Sequence, residues 1–153
     1  MQFHHELVMP NADLPFKMFL FEGGEGNYYR EKHWHRSIEI FAVLEGGLQF
    51  FINEEEHPLR AGDIILVNSN EIHSIYSPVP NRTVVLQIPL KTFEDYFTGD
   101  QFIRFAHHSK EHDRAAASLI GEMFEFYTEK RCGYEMKVKS QYFMFLYLLV
   151  TQY

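Results

Sequence analysis

His33 and His35, split by Trp34, lie just upstream of Glu39, and His73 follows in a second segment. Imidazole nitrogens and a carboxylate oxygen are lone-pair donors that suit Zn, Ni, Mn or non-haem Fe. Three or four such ligands leave a coordination position for water or a small molecule. His33, His35 and Glu39 share odd parity, so one extended strand would send all three to the same face. Trp34 would then point away, into packing on the outer sheet. Phe41 and Val43 continue the parity of Glu39 and are expected to line the same interior. Gln87, Gln49 and Phe51, and the N-terminal His4 and His5, are weaker candidates to reach a bound molecule. For His4 and His5 exposed arm positions are expected, and for His107 and His108 a solvated loop. Asp63 and Glu71 read as turn residues beside the site.

The elements that must position these residues read as short strands. Residues 1 to about 16 form an arm broken by Pro10 and Pro15. Strand-like runs follow at Lys17 onward, at Tyr28 into the histidines, at Ile38 to Leu44, and at Leu48 to Ile52. Others are His57 to Leu59, Ile64 to Val67, Ile72 to Tyr76, and Thr83 to Leu90. Gly23 to Asn27, Glu45-Gly46-Gly47, Asn53 to Glu56, and Asn68 to Glu71 supply the turns. Strands this short and this regularly interrupted indicate a sandwich or barrel rather than a βαβ sheet. After Pro89 the texture changes to a helical turn and a connection. Two helices are then expected: Arg114 to about Lys130, capped by Asp113 and ended near Gly133, and Tyr134 to the chain end. In the first, Leu119, Met123, Phe126 and Tyr127 share a stripe. The second carries no charge from Tyr142 to Val150, so it needs cover on more than one side. A second copy of the chain would provide it.

The two ligand-bearing segments resemble the two motifs of the cupin superfamily. The first, G-x5-H-x-H-x3,4-E-x6-G, appears as HWHRSIEIFAVLEG from His33 to Gly46. The second, G-x5-P-x-G-x2-H-x3-N, appears as GDIILVNSNEIHSIYS from Gly62 to Ser77. Departures fall on turn positions: Asn27, Asn68, Asn70 and Ser77 replace glycine, proline, glycine and asparagine. The whole order of arm, barrel and helix pair is similar to the N-terminal effector-binding and dimerisation domain of AraC-type transcription regulators. That resemblance implies a mainly β fold: a double-stranded β-helix (jelly-roll) barrel followed by two C-terminal α-helices. It divides the chain into an arm (1–16), a barrel (17–90), and a connecting segment with a two-helix dimerisation element (91–153). In that family a pair of helix-turn-helix motifs would follow, and nothing in this chain corresponds to them.

The resemblance implies a sensor of a sugar or related small polar metabolite, with His33, His35, Glu39, Phe41, His73 and Gln87 around the effector. It implies a homodimer that meets DNA only through a C-terminal domain. Within the site, His33, His35, Glu39 and His73 either hold a divalent metal or line a polar effector pocket without one. The alternative is a small metal-dependent cupin enzyme of oxygenase or sugar isomerase class with the same four ligands. Other chemistry is excluded on composition and motif. A net charge of −7 makes the chain itself a poor partner for a phosphate backbone. The sequence has no nucleophile elbow, Walker loop or dinucleotide fingerprint. One cysteine, Cys132, and the lack of a signal sequence or spanning segment point to the cytoplasm, with no membrane partner.

Overall fold

The structure, a computed structural model, describes residues 4–5, 11, 14–22, 28–96 and 103–153. Nine strands are described: β1 (His4–His5), β2 (Lys17–Glu22), β3 (Tyr28–Trp34), β4 (Ile38–Glu45), β5 (Gly47–Ile52), β6 (Glu55–Arg60), β7 (Ile64–Val67), β8 (His73–Ser77) and β9 (Arg82–Ile88). They form a five-stranded sheet in the order β1-β3-β8-β5-β6 and a four-stranded sheet in the order β2-β9-β4-β7. The chain passes back and forth between the sheets, which is the expected jelly-roll. Two helices, α1 (Asp113–Glu129) and α2 (Tyr134–Gln152), follow two 3-10 turns at Leu90–Tyr96.

The strands of the smaller sheet are apolar on both faces, which marks a sheet covered on both sides. Ile38, Ile40 and Ala42 of β4, with Ile64, Leu66, Val84, Leu86 and Ile88, pack outward against α1 and α2. Phe41, Val43, Ile65, Val67 and Val85 face inward and meet Leu48, Phe50, Ile52 and Ile75 of the larger sheet. Among the described residues no helix covers the larger sheet, and β5 alternates: Leu48, Phe50 and Ile52 are buried, and Gln49 and Phe51 half-buried on the other face. Gly46 closes the β4–β5 turn with φ +75°, and a Cβ there would lie 2.2 Å from the Pro80 carbonyl oxygen.

Several expectations need correction. The β5–β6 turn is only Asn53 and Glu54, both at positive φ, and Glu55 and Glu56 already belong to β6. Within the proposed arm, His4 and His5 pair in parallel with His33 and Trp34, so the segment reaches the edge of the larger sheet. Asn27 and the Gly23–Asn27 connection lie outside the described residues. Asp113 is the first residue of α1 rather than its cap, which is His112. The left-handed residue ending α1 is Lys130, and Gly133 (φ 82°) instead opens α2. The buried face of α1 is Ala116, Ala117, Ile120 and Met123, whereas Phe126 stays 37% exposed. Small residues let α1 lie close on β4. No described helix is long and apolar enough to cross a membrane.

Candidate functional site

The larger sheet brings His33 on β3 opposite His73 on β8 as direct Cα partners. The chain then leaves that sheet. His35 follows the end of β3, residues 36–37 bend, and Glu39 sits on β4 in the opposing sheet. Glu39 therefore does not share a strand face with His33 and His35, as their odd parity had suggested, but faces the imidazoles across the gap between sheets. One potential ligand atom from each of His33, His35, Glu39 and His73 lies within 4.8 Å of the others, and all four residues are buried. The His33 and His73 ring centroids are 4.1 Å apart, and those of His35 and His73 5.0 Å.

The polarity of these rings follows from what stands behind them. His35 Nδ1 donates to the Ser37 carbonyl at 2.9 Å, and His73 Nδ1 donates to the Glu71 carbonyl at 2.9 Å. In the neutral rings the lone pairs then sit on Nε2. Those atoms lie 3.0 Å (His35) and 3.4 Å (His73) from the two Glu39 carboxylate oxygens. Lone pairs directed at a carboxylate need a cation among them, either a proton or a metal ion. Three imidazoles and one carboxylate, two of the rings oriented by carbonyls, are a donor set that fits a divalent ion. Burial alone would raise the Glu39 pKa. Hydrogen bonds and charge from His35 and His73 outweigh it and hold the carboxyl well below its ordinary value.

Gln87, the β9 register partner of Glu39, is buried and donates from Nε2 to the Glu39 carboxylate. Phe41 is buried two positions along β4 and packs edge-on to Phe50, whose ring stacks parallel to His73 at 5.9 Å. A pocket of about 230 Å³ opens beside His73, lined by Lys32, Phe51, Asn53, Glu54, Ile72 and Ser74 as well. Phe51 thus comes near the site from the outer face of β5. Gln49 pairs with Tyr76 on that same face, away from the histidine cluster. Trp34 is half-buried and lines a surface hollow with Arg36, Asn70 and Ile72, so it is not a core residue.

The loop behind the histidines is tied into the barrel more closely than its residue types suggest. Glu71 is only 5% exposed, and its carboxylate lies 3.0 and 3.1 Å from His107 Nε2. His107 and His108 are half-buried partners of the barrel, not solvated loop residues. His108 Nε2 lies 3.2 Å from His57 Nδ1 and its Nδ1 donates to the Ile64 carbonyl. The drifted motif positions were the available signal. Asn68, where proline is expected, uses its N–H to donate to Glu71 at 2.6 Å, which proline cannot do. Its side chain also holds the Phe105 main chain in both directions, at 2.9 and 2.8 Å. Asn70, where glycine is expected, keeps the left-handed φ of 65° that asparagine tolerates.

Residues 15–146 match the family described as the AraC-like ligand binding domain. The chain belongs to that family. This AraC-like domain is also 38% identical over 47 residues to the uncharacterized HTH-type transcriptional regulator YdeC of Bacillus subtilis. That match spans 31% of this chain and 16% of YdeC. Among solved structures it is similar to a predicted oxalate decarboxylase from Thermotoga maritima, with 24% identity and a TM-score of 0.46 over 50% of this chain and 69% of that one. It is likewise similar to a cupin superfamily protein from Desulfitobacterium hafniense, with 13% identity and a TM-score of 0.48 over 54% and 74% of the two chains.

Proposed function

We propose that this AraC-like domain is the sensory and dimerisation module of a transcription regulator, and that it binds a sugar or related small polar metabolite at the histidine centre. The observation that carries this reading is the buried convergence of His33, His35, Glu39 and His73 in a chain of a ligand-binding family. These four residues would hold a divalent ion of the Zn, Ni, Mn or Fe type. Such an ion, when bound, supplies a Lewis acid that attracts a hydroxyl or carbonyl oxygen of the effector. Gln87 fixes the Glu39 carboxylate, the Ser37 and Glu71 carbonyls orient two imidazoles, and Phe41 with Phe50 keeps water from the inner side.

Occupancy acts by favouring one placement of the arm and helix pair over another, and only to the extent that the two placements differ in effector affinity. In α2 the residues Met136, Phe143, Met144 and Tyr147 are each more than half exposed. A second copy is the proposed cover for them. The DNA contact belongs to a helix-turn-helix domain outside this segment, which would read the change as altered spacing of its two copies.

The same four-residue cluster also supports a second reading, a small metal-dependent enzyme of oxygenase or sugar isomerase class. Thermal unfolding of zinc-loaded and metal-stripped protein against a panel of monosaccharides and sugar acids separates the two readings. A sensor shows a saturable rise in Tm for one chemical class and returns the compound unchanged. Turnover of that compound would replace the sensor with the enzyme. No rise for any sugar would remove the proposed effector class.

A further inference from the structure

The turn at residues 68–71 touches both the histidine centre and the segment that enters α1. On the centre's side, the Glu71 carbonyl accepts from His73 Nδ1 at 2.9 Å, and the Asn70 N–H donates to the His35 carbonyl at 2.8 Å. On the other side, the Glu71 carboxylate pairs with His107 at 3.0 Å and lies 3.4 Å from Arg104, while Asn68 clamps Phe105. The Leu66 N–H, just before the turn, donates to the His107 carbonyl at 3.0 Å.

Residues 104–108 are in turn tied to both helices. The Ala106 N–H donates to the Tyr153 carbonyl at the end of α2, at 3.2 Å. The Tyr153 hydroxyl donates to Asp113 at the start of α1, at 2.6 Å, and Asp113 also accepts from the Ser109 N–H. A displacement of His73 therefore meets one turn, and that turn meets the segment holding the beginning of α1 and the end of α2. Buried polar contacts are costly to leave half-made, so such a chain tends to move between whole arrangements rather than bend gradually.

We propose that the 68–71 turn couples the histidine centre to the helix pair, with Glu71 and His107 as the positioning residues that link them. The inference rests on the sensor reading for its purpose but not for its test. Coupling is reciprocal, so a change at His107 must be felt at His73 as surely as the reverse.

The test uses this chain with 15N-labelled histidine, as wild type, His107→Ala and His112→Ala. His112 stands on the same connection, and its ring lies 3.9 Å from the exposed Glu111 carboxylate. In metal-free protein, His107→Ala should shift the His73 Nδ1–H resonance and speed its exchange with water, whereas His112→Ala should leave it in place. Zinc titration of the same proteins should slow hydrogen exchange at residues 103–109 in wild type and lose that effect in His107→Ala. Zinc affinity should fall by about tenfold in His107→Ala, in line with groups that orient a ligand from behind. A His73 signal identical in wild type and His107→Ala would overturn the coupling. So would zinc binding that is abolished by His73→Ala yet leaves exchange at 103–109 unaltered. If zinc does not bind but His73 responds to His107→Ala, the metal reading fails and the coupling stands.

Discussion

Replacing Phe143 with alanine should weaken self-association of this domain by about a hundredfold while leaving its fold intact. Phe143 is 65% exposed and lies on a helical stripe with Met136 and Tyr147, themselves 75% and 66% exposed. A phenylalanine side chain can bury roughly 200 Å², so about 130 Å² of Phe143 remains available to a partner. A two-fold interface counts that area twice, and at ~25 cal/mol per Å² complete burial is worth about 6 kcal/mol. Interfaces realise only part of such a ceiling, and half of it, ~3 kcal/mol, is about two decades in Kd. Because the residue is exposed within one chain, the substitution should change the unfolding free energy of the dissociated monomer, read below the dimer Kd, by no more than about 0.5 kcal/mol. Sedimentation velocity across a dilution series reads the Kd, and urea unfolding reads the fold. A wild-type protein that stays monomeric at tens of micromolar, about the range of a modest interface, would refute the reasoning. So would a Phe143→Ala variant that dimerises as well as wild type.

His35→Ala should lose bound zinc, measured by elemental analysis after dialysis, with the far-UV spectrum of the barrel retained. Unchanged metal content would place the ion elsewhere. Asn68→Ala removes two buried side-chain hydrogen bonds to Phe105 and should destabilise the fold by about 2–4 kcal/mol in urea. A loss below about 0.5 kcal/mol would mean that water replaces the amide. The pH dependence of His108→Ala has a definite sign. The hydrogen bond to Asp113 raises the His108 pKa above its ordinary 6.5, against the opposing effect of burial. A raised pKa gives stabilisation that is full below 6.5 and disappears as pH climbs through the folded-state value. Burial would raise the Asp113 pKa, but its contacts with His108, Tyr153 and Ser109 lower it below 3.8, so its share fades only in stronger acid. The destabilisation measured for His108→Ala should therefore be larger at pH 6 than at pH 9, and equal losses would show the pair to be inert.

The sequence alone was enough to single out four residues that the fold brings together, the β-rich texture and the helix pair, and for physical reasons. Imidazoles and carboxylates are few and chemically marked, strands alternate, and a helix like Tyr142 to Val150 without charge declares its need for cover. Geometry across the fold was not legible in the same way. Parity placed His33, His35 and Glu39 on one strand face, yet a bend at residues 36–37 moves Glu39 into the opposing sheet. Convergence there is a property of two sheets packing, which no local period encodes. On α1, Met123, Leu119 and Tyr127 of the expected stripe do meet the core, but Ala116, Ala117 and Ile120 join the buried face and Phe126 stays 37% exposed. Glu71 and His107, 36 residues apart, looked like a turn former and a loop histidine. Only the path of the chain after the barrel brings the two together, His107 Nε2 coming to 3.0 Å from the buried Glu71 carboxylate.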